Sequence, residues 1–146
     1  RRVALLEGVP ADVLEAVYQE RLQPNPGAAE LLAGAHQHGI YTLLVSGGFT
    51  FFTEKLSQQF NLKRTQANTL EIIDNKLTGR VLGDIVDGYA KASYLDEVCS
   101  TLGCTKANSM TQFIPIFFNN TMNWYIIIRN IFIISINTIC IFNKSI

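Results

Sequence analysis

Val13, Leu14, Val17, Tyr18 and Leu22 recur at steps of one, three and four, the pattern of a helix with one buried face, and Pro10 and Asp12 stand near its start. That helix ends before Pro24 and Pro26. From Gly27 onward Ala28, Leu31, Leu32 and Ala35 repeat the spacing, and Gly39 is placed to close the second helix in the left-handed conformation. Ile40 to Val45 departs from it as a short continuous apolar run, the kind buried on both faces of a parallel sheet. Ser46-Gly47-Gly48 then predicts a tight turn, and Thr50 to Phe60 a further helix. Ala67 to Ile73 and Lys76 to Leu82 alternate around Asp74-Asn75, a pair that tolerates the positive φ of a two-residue hairpin turn. Asp87 to Leu102 predicts a helix with Ala90, Tyr94, Leu95, Val98 and Leu102 on one stripe and Gly103 as its stop, and Lys106 to Met110 begins another strand. The order helix, strand, turn, helix predicts an α/β protein with a doubly wound parallel sheet.

Composition changes this picture at one place. Over 146 residues, 48% hydrophobic and 16% charged positions supply a core for about one domain and exclude a disordered or collagen-like chain. Twelve basic and twelve acidic side chains cancel, so nothing directs the chain to nucleic acid or an anionic membrane surface. Residues 1 to 110, however, hold all twelve acids and all ten glycines, whereas residues 111 to 146 hold twelve Ile, six Asn and five Phe and no Leu, Val, Ala, Gly, Asp or Glu. Those residue types share A- and T-rich codons, so the tail is expected to derive from a frameshift, an unspliced intron or an assembly join. A membrane anchor over Trp124 to Phe142 is the rival reading. Arg129 interrupts it, and the clean stretch Ile131 to Phe142 is shorter than the roughly 20 residues needed to span. The start, Arg1-Arg2-Val3, has no initiator Met and no signal-peptide pattern and reads as the interior of a gene product.

Cys99, Cys104 and Cys140 imply no disulfide framework or zinc site, and reduced thiols fit a cytoplasmic setting. His36 and His38, at i and i+2, do not share a helix face and read as surface residues.

Two segments carry chemistry. Ser46-Gly47-Gly48 lies at the carboxyl end of a strand and before a helix, where ligands of open α/β sheets bind. A hydroxyl, two residues without Cβ and amides at a helix start suit a phosphate; a turn that simply needs glycines is the plainer reading. Lys91 stands near the start of a helix, where the macrodipole disfavours a cation. Read alone it is a solvated lysine; read with Ser46 it is a point charge aimed at phosphate oxygens.

Arg2 to Gly8, Leu44 to Phe49, Ala67-Asn68-Thr69-Leu70-Glu71, Lys76-Leu77-Thr78-Gly79 and the Lys91 helix together resemble the phosphoserine phosphatase family of the haloacid dehalogenase-like (HAD-like) superfamily, in unbroken order over residues 1 to about 110. The resemblance implies a HAD-like Rossmannoid core with part of a helical cap: residues 1–25 as the end of the cap, 26–110 as a partial core, and 111–146 as a tail foreign to the family. It also implies hydrolysis of phosphoserine, a small-molecule substrate, within serine biosynthesis. Ser46 and Lys91 then match catalytic residues, with the Gly47 amide assisting Ser46 at the phosphoryl group, and Arg2 matches the arginine that holds the substrate carboxylate.

The departures concern the nucleophile and the metal. The family's Asp-x-Asp and Gly-Asp-Gly-x-Asn-Asp motifs, which supply the attacking carboxylate and magnesium ligands, do not occur in these 146 residues. Thr111 to Pro115 stands where the second is expected. The chain is therefore expected to contain no metal ligands, to lack phosphatase activity by itself, and to fold poorly, because the family's first strand belongs beside the strand that ends at Ser46. Another small-molecule phosphatase of the same superfamily, or a non-catalytic remnant that binds phosphoserine or a protein, are the alternatives. The oligomeric state is left open.

Overall fold

The residues that lack a polar face lie at the centre of the sheet. A computed structural model describes residues 3–24, 26–103, 109–112 and 137–142. In strand β1 (Tyr41–Phe49) the side chains of Leu43, Leu44 and Val45 are fully buried, and successive ones point into different clusters. Leu44 packs with Ala28 and Leu32 of helix α2 (Ala28–Gln37), with Leu56 of helix α3 (Thr50–Phe60), and with Leu62. Leu43 and Val45 face the other way, against Val86 and against Val98 and Cys99 of helix α4 (Gly88–Leu102). Helices on both sides of β1 explain why its sequence does not alternate.

A third cluster joins the first residues to the hairpin. Leu6, from the short 3₁₀ turn Val3–Leu6, and Leu14 and Val17, from helix α1 (Val13–Arg21), pack with Phe49, Phe52, Leu70 and Leu77. Lys55 ties α1 to α3: its Nζ is 2.6 Å from Glu15 Oε2 and lies over the rings of Tyr18 and Phe51 at 5.0 and 5.3 Å. Hydrogen bonds from Gln19 and then Lys55 hold the Glu15 carboxyl below its ordinary range. The pair is solvent-exposed, so its net contribution is small and the apolar cluster carries the contact.

The sheet has the order β3-β2-β1-β5-β4. Strand β2 (Arg64–Ile73) runs parallel to β1, as a strand reached through the α3 crossover does, and returns antiparallel as β3 (Lys76–Leu82). Asp74 and Asn75 both take positive φ, 50° and 58°, at the hairpin tip, the conformation of the turn read from their sequence. On the other side of β1, strand β5 (Asn137–Phe142) pairs antiparallel, from Tyr41↔Phe142 to Ser46↔Asn137, and strand β4 (Ser109–Gln112) pairs with β5. The sheet is thus mixed, with β1 and β2 as its parallel pair among the described strands. The edge of β1 that was expected to stand unpaired is occupied by a segment of the tail.

Three expectations need correction or restriction. Ser46-Gly47-Gly48 is not a tight turn: β1 continues through it to Phe49, with a register shift against β2 between Val45 and Phe49. The glycines serve a local irregularity inside an extended segment. His36 is half-buried, and its Nε2 shares a 3.1 Å hydrogen bond with Oγ1 of the buried Thr42, so it is not a surface residue; His38 is exposed, with Nδ1 2.8 Å from the Gly34 carbonyl. Among the described residues no helix is long and apolar enough to cross a membrane. Residues 113–136, which carry most of the proposed anchor, lie outside the described residues, as does Cys104.

Candidate active site

The carboxyl end of β1 and the first turn of α4 meet. Ser46 is 1% exposed, and its Oγ accepts a 2.9 Å hydrogen bond from the Gly48 amide, which fixes the side chain against its own backbone. At Gly47 the position a Cβ would take lies 3.6 Å from the Val86 carbonyl oxygen and 4.0 Å from Lys91 Nζ. The absent side chain therefore leaves the Gly47 backbone itself facing the Val86 carbonyl and the Lys91 ammonium.

Lys91 is held there by the start of α4. Asp87 takes an extended backbone and caps the helix, its Oδ1 accepting from the Ala90 amide at 2.9 Å, while the Lys91 amide donates to the Asp87 carbonyl at 3.0 Å. The lysine thus follows the cap within one turn, where the aligned peptide dipoles oppose its positive charge. Partial burial lowers its pKa, because water is removed from the ammonium. Both effects disfavour the charged ammonium, and an anion beside it would offset both.

A residue given no role on sequence grounds organises this end of the sheet. Asn68, on β2 and 6% exposed, donates from Nδ2 to the carbonyls of Gly47 (2.8 Å) and Gly48 (3.2 Å), and its Oδ1 accepts from the Val86 amide (2.8 Å). Its sequence signal was the residue type itself: an asparagine at a buried strand position is disfavoured unless its amide is paired.

The other site residues stand as follows. Gly47 and Lys91 are brought together, with Ser46 next to Gly47 in the strand; Arg2 lies outside the described residues. Among the described residues no three His, Cys, Asp or Glu side chains gather to hold a metal ion.

Residues 2–106 match the family of haloacid dehalogenase-like hydrolases. Among curated proteins, the phosphoserine phosphatase of Albidiferax ferrireducens is 48% identical over 107 residues, which are 70% of this chain and 45% of that protein. The phosphoserine phosphatase of Archaeoglobus fulgidus is 38% identical over 107 residues, 73% of this chain and 31% of its own length. Among solved structures, a probable phosphoserine phosphatase from Vibrio cholerae superposes with a TM-score of 0.65 at 36% identity, over 70% of this chain and 32% of that one. A substrate-bound phosphoserine phosphatase complex superposes with a TM-score of 0.67 at 30% identity, over 70% and 49%. The chain spans less than half the length of each of these relatives.

Proposed function

The chain belongs to the haloacid dehalogenase-like hydrolase family, and on that premise we propose that the end of β1 and the start of α4 form the phosphate-holding part of a phosphoserine phosphatase site. The Ser46 hydroxyl, oriented by the Gly48 amide, donates to one phosphoryl oxygen, the Gly47 amide donates to another, and the Lys91 ammonium neutralises their charge. The observation that carries the reading is the approach of the Lys91 ammonium to the Gly47 backbone, 4.0 Å from where a Cβ would stand: a partly buried cation in the first turn of a helix lies beside the carboxyl end of a strand. The named relatives support phosphoserine as substrate. Arg2 would pair with its carboxylate, and that contact separates phosphoserine from a phosphorylated compound with no carboxylate.

In this reading residues 1–25 belong to a cap, 26–110 to the core, and 111–146 to a tail foreign to the family, and the complete enzyme works in the cytoplasm in serine biosynthesis. Charge stabilisation alone does not cleave a phosphate ester. The 146 residues contain no Asp-x-Asp pair to supply the attacking carboxylate, so by themselves they bind without turnover.

Calorimetry on the purified chain tests the proposal, with inorganic phosphate and phosphoserine as titrants. Phosphate binds the unaltered chain, binds Lys91→Met at least about tenfold more weakly, and binds Arg2→Ala as before; phosphoserine loses affinity in both variants, and no free serine appears. A chain that ignores phosphate at millimolar concentrations overturns the reading.

A further inference from the structure

Three polar contacts of one side chain hold the two halves of the candidate site at a fixed spacing. Asn68 Nδ2 draws in the carbonyls of Gly47 and Gly48, and Oδ1 takes the amide of Val86. Val86 leads directly into the α4 cap at Asp87, and its carbonyl oxygen lies 3.6 Å from where a Gly47 Cβ would stand. With the Gly47 carbonyl engaged by Asn68, the Gly47–Gly48 peptide is held against rotation, and the amide of that peptide, Gly48 N–H, is the one that orients the Ser46 hydroxyl.

We infer that Asn68 is a positioning residue: through the Gly47 and Val86 backbones it sets the separation between the Ser46-Gly47 segment and the Lys91 helix, and so tunes affinity for a tetrahedral dianion that it does not itself touch. The inference rests on the phosphate-binding reading of this site.

Asn68→Asp separates the two functions of the amide. The carboxylate still accepts from the Val86 amide, but it loses the donor to Gly47 and Gly48 and repels their carbonyls. Burial beside carbonyl oxygens disfavours its charge, so it takes up a proton in mildly acid solution, and the protonated form again donates on one side and accepts on the other. The probe is sulfate, a tetrahedral dianion whose charge does not change over the pH range used, titrated into the unaltered 146-residue chain and the variant. The expected result is affinity reduced about tenfold or more at neutral pH and recovered on acidification in Asn68→Asp, with the unaltered chain flat over the same range and the Val86 amide still protected from hydrogen exchange. A residue with a merely structural role would show no acid recovery of binding.

Equal affinity of variant and unaltered chain at neutral pH, or weakening without acid recovery, overturns the inference and leaves the phosphate site standing. An unaltered chain that binds no sulfate overturns the phosphate site itself. Should Asn68→Asp fail to fold, Asn68→Ala takes its place, and weaker sulfate binding at an unchanged circular dichroism spectrum is then required. If neither variant folds, Asn68 is a folding residue and the inference fails.

Discussion

A methyl group added at position 47 separates folding from binding. Gly47 is absent from the positive-φ glycines, and the nearest atoms to the added carbon stand at 3.6 and 4.0 Å, ordinary van der Waals separations. Gly47→Ala should therefore leave the free energy of unfolding within about 0.5 kcal/mol of that of the unaltered chain. The same carbon would stand 4.0 Å from the Lys91 ammonium, between it and the Gly47 backbone, so phosphate affinity should fall about tenfold or more, read by calorimetry beside a denaturant titration. Sequence made Ser46, Gly47 and Lys91 visible because a hydroxyl, a missing Cβ and a misplaced cation are each anomalies that can be read one residue at a time. Asn68 escaped because its value lies in partners 18 to 21 positions away, at Val86, Gly48 and Gly47, which no local pattern reveals. His36 was misread for the same reason, since its partner Thr42 belongs to the next element.

At the level of elements, the hairpin contains a second glycine with a quite different task. Gly79 has φ +76°, and a Cβ there would meet the Ala4 Cα at 3.0 Å, the Ala4 oxygen at 3.1 Å and the Glu7 Cβ at 3.2 Å. It sits where the β2–β3 register shifts, between Leu70↔Val81 and Ile72↔Leu77, beside Thr78, whose hydroxyl donates to Glu71 Oε2 at 2.7 Å. The bulge and the bare backbone let the Val3–Leu6 turn press onto the sheet. Gly79→Ala should cost at least about 1–2 kcal/mol of stability, from conformational strain and the close backbone contact together, as measured by denaturant unfolding. The elements themselves were legible where periodicity and punctuation agreed: the sequence reading placed α3 at Thr50 to Phe60 and the hairpin turn at Asp74-Asn75, as observed. The end of β1 was not, because glycines signal a turn and an irregular strand equally well, and only pairing with β2 chooses between them.

Across the whole molecule, the tail changes what the sheet exposes. Its composition gave no reason to expect a strand beside β1, and pairing between residues far apart in the chain, from Tyr41 with Phe142 to Ser46 with Asn137, cannot be read from local pattern. Ending the chain at Gln112 removes β5, which strips β4 of the partner it has among the described strands and uncovers one side of β1. Sedimentation velocity should then show concentration-dependent association that is stronger in the shortened chain than in the full one.

Neighbours engage the main chain of β1 on both flanks, β2 from Leu43 to Val45 and again at Phe49, and β5 from Tyr41 to Ser46. Growth of the sheet by a newcomer is thereby confined to its two rims, β3 and β4. Any strand meant to lie against Ser46 must first evict Asn137–Phe142, a competition whose outcome depends on the strength of that displaced ladder.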